Sequence, residues 1–178
     1  MNMIMLPDTR RRLLLAAGGG LLLSGFWHAR PSFAAGVVDI AMAGANGGAD
    51  VWFRPRGVLI QPGQTVRWTN QETGNVHTAT AYHPANGGKS LRIPKGAKPW
   101  DSDYLMPGQS FSVTLEVPGV YDYFCLPHEH AGMVGRIIVA EPEAGVEALR
   151  AMSDPQLPSA ATQGFVAIAE IMQKQVVE

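Results

Sequence analysis

At 178 residues the chain has room for one domain with a substantial core plus accessories, and too little for two full domains. Apolar residues make up 46% and charged residues 16%, with a net charge of −1, which excludes a disordered polyelectrolyte and gives no basis for nucleic-acid binding. The single cysteine, Cys125, excludes an internal disulfide, so stability outside a cell has to come from the core or from a metal.

In chain order, the N-terminus reads as an export signal. Thr9-Arg10-Arg11-Arg12 stands directly ahead of an apolar run from Leu13 to Trp27 that four glycines interrupt. This resembles a twin-arginine signal, and Arg30 near its end suits that route. The run falls short of the ~20 residues a spanning helix needs, so a cleaved signal is favoured over a retained anchor, and no stable membrane span is expected after cleavage. Ser32-Phe33-Ala34 supplies small residues for cleavage, making 1–34 the signal and Ala35 the start of the mature chain. That chain has 10 Lys+Arg against 14 Asp+Glu, a net of −4, which favours solubility.

From Val37 to Ala140 short runs of two-residue periodicity alternate with Pro-Gly and Gly-rich breaks, the pattern of an all-β sandwich or barrel. Val37–Met42 and Val51–Ile60 predict two early strands, with Pro55 bending the second or marking it as an edge. Pro62-Gly63 turns into Thr65–Thr69, where Val66 and Trp68 share a face. Ser110–Val117 places Phe111, Val113, Leu115 and Val117 on one face, and Pro118-Gly119 turns into Val120–Cys125. Val134–Ala140 is apolar on both faces apart from Gly135 and Arg136. Between these runs, His83–Ser102 carries prolines, glycines and four cations, Lys89, Arg92, Lys95 and Lys98. It predicts a long surface loop, either simply solvated or a docking surface for an acidic partner. After Ala140 helical spacing takes over. Val146, Leu149 and Met152 mark one helix, and Phe165, Ile168, Met172 and Val176 one face of a longer one, predicting a pair packed on the sandwich.

The chemistry concentrates in Cys125-Leu126-Pro127-His128-Glu129-His130-Ala131-Gly132-Met133, a Cys-x2-His-x4-Met spacing between two predicted strands. Copper alternating between +1 and +2 needs ligands that suit both states: thiolate and thioether sulfur for the reduced ion, imidazole for both. A short loop between neighbouring strands can bring Cys125, His128 and Met133 to one point. His77, in Gly74-Asn75-Val76-His77-Thr78 well upstream, is the best donor for the remaining imidazole. A lone cysteine or methionine is usually core filling, but that does not account for their joint occurrence at this spacing. Zinc rivals copper, although structural zinc sites use two or more cysteines and rarely methionine. A Cys/His nucleophilic enzyme is the other rival, and no dyad signature surrounds Cys125.

Residues 49 to 140 resemble the small blue-copper proteins, the cupredoxins, and among them plastocyanin and pseudoazurin. Pro118–His128 followed by Ala131-Gly132-Met133-Val134-Gly135 is similar to their copper loop nearly position for position. The resemblance implies an eight-stranded Greek-key β-sandwich over 35–140 and a type 1 copper centre used for one-electron transfer. It places His77, Cys125, His128 and Met133 as the ligands. It also implies that 141–178 forms a helical extension like that of pseudoazurin, which plastocyanin does not have. His130 has the Cys-to-His spacing of azurin, but the gap to Met133 then fails, so His130 and His83 are expected to be loop histidines. Thr78, beside His77, is a candidate to orient the ligand loop by a hydrogen bond.

The same resemblance implies that His128 emerges through an apolar patch of Leu126, Pro127, Ala131 and Gly132. Redox partners such as a cytochrome or a copper-containing reductase would dock there transiently. A monomeric carrier in the periplasm or at the outer face of the cell membrane is expected, not an enzyme. The alternative is a protein that stores or delivers copper without shuttling electrons.

Overall fold

The computed structural model describes residues 36–141, 154 and 156–178. The signal reading of 1–34 and the helix expected around Val146, Leu149 and Met152 lie outside them. Among the described residues the strands are β1 (Val37–Ala45), β2 (Asp50–Arg54), β3 (Gly57–Ile60), β4 (Gln64–Asn70), β5 (Thr80–Ala81), β6 (Ser110–Leu115), β7 (Gly119–Phe124), β8 (Val134–Val139) and β9 (Val176–Val177). Two short helices, α1 (Ser159–Gly164) and α2 (Ile168–Lys174), precede β9.

The strands form two sheets, one ordered β2-β1-β4-β6 and the other β5-β7-β8-β3-β9. Two pairings, β1 with β4 and β3 with β8, are parallel, and both require the chain to cross between sheets as in a Greek key. Alternation does what the sequence suggests. Val66 and Trp68 of β4 and Tyr121 and Tyr123 of β7 point inward and are essentially inaccessible. They meet Ile40, Phe53, Ile60, Ile137 and Val139 from the other strands in one core. Burying each such side chain fully stabilises the fold by ~1.5–3 kcal/mol. Tyr123 sits edge-on to both Phe53 and Trp68, with centroids 4.7 and 5.2 Å away. Its ring also lies so close to β8 that a Cβ on Gly135 would come within 2.3 Å of it, which explains a glycine inside a buried strand.

The run Val51–Ile60 is not one strand. Arg54-Pro55 is a cis peptide, and the bend there passes the chain from the first sheet to the second, so β2 and β3 pair with different partners. The expected eight strands become nine because Val176–Val177 adds to the edge of β3.

Two short C-terminal helices are present, α1 at a place the spacing did not mark, but the single long helix expected from Phe165 to Val176 is not. Phe165 (ψ 129°) and Ala167 (ψ 139°) are extended, so helix α2 starts only at Ile168. Phe165 instead turns toward the second sheet, beneath Arg92 and Arg136. Those two arginines flank Asp122 on the outer face of β7 and β8. Arg92 donates to Asp122 at 2.6 Å and Arg136 at 2.7 Å, and Arg136 also donates to the Val166 carbonyl at 2.7 Å. Three charges are thus buried beneath the C-terminal segment, with each partner satisfied. Around them Ala161 joins Tyr82, Phe124 and Val134, while Val166 and Ile171 join Ile138 and Ala140. This is why β8 reads as apolar on both faces: one covers the core and the other meets the C-terminal segment. No helix among the described residues is long and apolar enough to cross a membrane.

Candidate metal centre

The end of β7, the start of β8 and the chain following β4 meet at one pole of the sandwich, where they present Cys125, Met133 and His77. The ligand loop is a 3-10 turn, Leu126–Ala131, with Pro127 near its start and Gly132 closing it in a left-handed conformation at φ 84°. Gly132 is also required by crowding, since a Cβ there would stand 3.0 Å from the Ala160 carbonyl of α1. Internal bonds fix the loop. The Cys125 amide donates to the Met133 carbonyl at 3.0 Å, the His128 amide to the Cys125 carbonyl at 3.0 Å, and the Met133 amide to the His128 carbonyl at 3.2 Å.

This frame brings His77, Cys125 and His128 together, with their donor atoms all within 4.8 Å of one another. Cys125 Sγ lies 3.6 Å from His77 Nδ1 and 3.3 Å from His128 Nδ1. Bonds of about 2.0–2.1 Å from imidazole nitrogen and about 2.3 Å from thiolate sulfur to one ion allow nitrogen–sulfur separations up to about 4.4 Å, and both sulfur–nitrogen distances fall inside that limit, as a single metal requires. Met133 is fully buried in the core cluster that holds Cys125. His77 and Cys125 are also inaccessible, whereas His128 is half-buried and is the ring that reaches the surface.

Without a metal, burial keeps the thiol protonated. In the metal-free protein burial pushes the Cys125 thiol up to about 11, against hydrogen bonds from the Thr78 and His128 amides that favour the thiolate. Burial, and then the neighbouring His77, hold His128 below its ordinary value. The His128 imidazole is therefore available to a cation, and the sulfur becomes a thiolate only when a cation replaces its proton.

Thr78 holds the site from the side: its amide donates to Cys125 Sγ at 3.3 Å, and its Oγ1 accepts from the Leu126 amide at 2.8 Å. Leu126 is 47% exposed, with Pro127 and Ala131 exposed beside it and Gly132 half-buried. His130 is exposed and His83 is half-buried, its Nδ1 accepting from the Ala85 amide; neither joins the donor cluster.

Sequence reasoning missed several residues. Glu72 Oε2 lies 2.7 Å from His77 Nε2. A carboxylate only accepts, so Nε2 carries the proton and Nδ1 keeps its lone pair for the metal. Glu72 is steadied by Asn75 and, through its own amide, by Asn70. Glu129, to which sequence reasoning assigned no role, is buried: its carboxylate accepts from the Tyr82 hydroxyl at 2.9 Å and pairs with Lys89. Lys89 also lies 5.0 Å from the Phe124 ring. The long 83–102 segment is a loop, as expected, yet two of its four cations face inward as counter-charges, Lys89 for Glu129 and Arg92 for Asp122. That is a correction to reading those cations as solvated or as a docking surface. Leu105, in the chain after that loop, pairs with His77 by backbone bonds in both directions, which brings the exposed Tyr104 and Met106 to the same pole.

A Greek-key sandwich with one cysteine thiol, two imidazoles and a buried thioether at one pole defines a copper-binding cupredoxin. The model of copper-binding proteins of the plastocyanin/azurin family matches residues 39–140, more than half the chain, and the chain belongs to that family. It is 39% identical over 100 residues to plastocyanin from Scenedesmus fuscus, covering 54% of this chain and 93% of that one. It is 38% identical over 102 residues to the chloroplastic plastocyanin of Oryza sativa subsp. indica, covering 55% of this chain and 60% of that protein's length. Among solved structures, a pseudoazurin from Sinorhizobium is 31% identical with a TM-score of 0.53, over 76% of this chain and 95% of that one. The cofactor is copper.

Proposed function

We propose that this chain is an exported one-electron carrier whose copper is held by His77 Nδ1, Cys125 Sγ, His128 Nδ1 and the Met133 thioether. One observation carries the reading: side chains from two distant stretches converge with only their Nδ1 and Sγ donors facing each other. When bound, copper supplies the one-electron change between +1 and +2. The protein's part is positional. The sandwich fixes both ends of the ligand loop, Glu72 and Thr78 orient His77 and the sulfur, and burial excludes water, so little has to move when the charge changes. His128, half-buried in the ligand loop beside the exposed Leu126, Pro127 and Ala131, is the exit. These apolar neighbours suit brief contacts with redox partners such as a cytochrome or a copper-containing reductase, met by a monomer in the periplasm or at the outer face of the membrane. With four protein donors around the ion, no position remains for a substrate, so we do not read the chain as an enzyme.

The test is redox stoichiometry. The purified chain loaded with copper(II) is expected to be intensely blue or green, to bleach on taking one electron per chain from ascorbate, and to recover with an oxidant. Cys125→Ser should be colourless and His130→Ala coloured. A colourless copper complex in the parent would instead favour storage or delivery of the metal.

A further inference from the structure

Beyond the four donors, a file of hydroxyls connects the ligand loop to a surface carboxylate. The Leu126 amide donates to Thr78 Oγ1 at 2.8 Å, Thr78 Oγ1 lies 2.8 Å from Thr80 Oγ1, and Thr80 Oγ1 donates to Asp101 Oδ1 at 3.0 Å. Both threonines are buried, at 2% and 0% exposure, while Asp101 is exposed at the end of the long loop. The direction of every bond follows from the ends. A carboxylate only accepts, so Thr80 gives its single proton to Asp101. Thr80 Oγ1 must then accept the proton of Thr78, which leaves the lone pairs of Thr78 Oγ1 for the Leu126 amide. Each bond polarises the next, so a charge at the far end strengthens the bond at the near end.

The near end matters because the Leu126 amide belongs to the Cys125–Leu126 peptide. Its N–H is held by Thr78, and its carbonyl, that of Cys125, accepts from the His128 amide at 3.0 Å. Rotation of this one peptide plane would move the sulfur and the His128 ring together. Thr80 is clasped in the backbone as well, paired with Phe124 on β7 and bridged to Asp101, so the file cannot drift.

We propose that Asp101 is a positioning residue for the metal centre: acting through Thr80 and Thr78, it fixes the Cys125–Leu126 peptide and hence the geometry of the sulfur toward copper. This rests on the copper reading of the site, and the test separates the two. In the copper(I) form, which is diamagnetic, the Leu126 amide of the parent is expected to resonate downfield and to be protected from exchange. Thr80→Val and Asp101→Ala should each move it upfield and speed its exchange about tenfold, and shift the visible band of the copper(II) form. Thr80→Ser, which keeps the hydroxyl, should restore the parental values. If Thr80→Val does not fold, Asp101→Ala, at the surface, decides alone. Parental Leu126 values and an unshifted band in folded Asp101→Ala would overturn the proposal and leave Asp101 as the acceptor for the Asp103 amide, 3.1 Å away. A parent that is not coloured at all would count against the copper assignment instead, while the amide comparison on the copper-free protein would still report on the file.

Discussion

Glu72 shows how much of a metal site lies outside its donors. The side chain is nearly buried at 10% exposure, and it fixes which nitrogen of His77 faces the sulfur. Glu72→Gln keeps the shape but replaces an accepting carboxylate with an amide, so copper affinity is expected to fall about 10- to 100-fold in a competition titration. The lost negative charge also disfavours copper(II), so the reduction potential should rise in the same variant. Cys125 carries the second expectation at this scale. Its thiol rises from an ordinary 9.0 to about 11 in the metal-free protein, so the fold favours the protonated form. That stabilisation, ~2–3 kcal/mol, is complete below the unfolded value and is lost as pH climbs through about 11, so denaturation of the metal-free protein should become easier across that window. At neutral pH the same thiol must release its proton to bind copper, and affinity should rise about tenfold per pH unit from this group. Cys125, His128 and Met133 could be read together because their spacing is local, whereas His77, 48 residues from Cys125, rests on the resemblance. Glu72, Asp101 and Glu129 were not legible in the sequence, since their roles depend on what the fold sets opposite them.

At the scale of elements, the strand pattern around Trp68 and Tyr123 could be read directly because alternation records which side faces the core. The long loop could not. Composition made 83–102 a cationic surface segment, whereas Lys89 and Arg92 turn inward to neutralise carboxylates on the ligand loop and on β7. Lys89 fastens the turn that carries His128 by way of Glu129. Lys89→Met should leave that buried carboxylate without its counter-charge; because Lys89 is 32% exposed, the expected loss is about 1–2 kcal/mol in urea denaturation, not the full cost of breaking a buried pair. The helical spacing after Ala140 misled in a different way. Phe165 and Val176 fall in phase with Ile168 and Met172, but Phe165 packs beneath two arginines and Val176 pairs with β3, contacts that a periodicity cannot register.

For the molecule as a whole, the C-terminal segment serves as the second cover of the five-stranded sheet. Without it, Phe124, Val134 and Ile138 would face water, and the Asp122 group with its two arginines would lose both the Phe165 ring and the Val166 carbonyl. Deleting 156–178 is expected to cost about 3–5 kcal/mol by chemical denaturation, from the burial of a few side chains such as Ala161, Val166 and Ile171. The metal pole should loosen as well, because α1 abuts Gly132 at the end of the ligand loop.

The most direct examination of the central claim is anomalous diffraction at the copper edge from crystals of the copper-loaded chain. The expected result is one peak enclosed by His77 Nδ1, Cys125 Sγ and His128 Nδ1 with the Met133 sulfur facing it. A peak on His130 or His83, or copper bound away from Cys125, would contradict it.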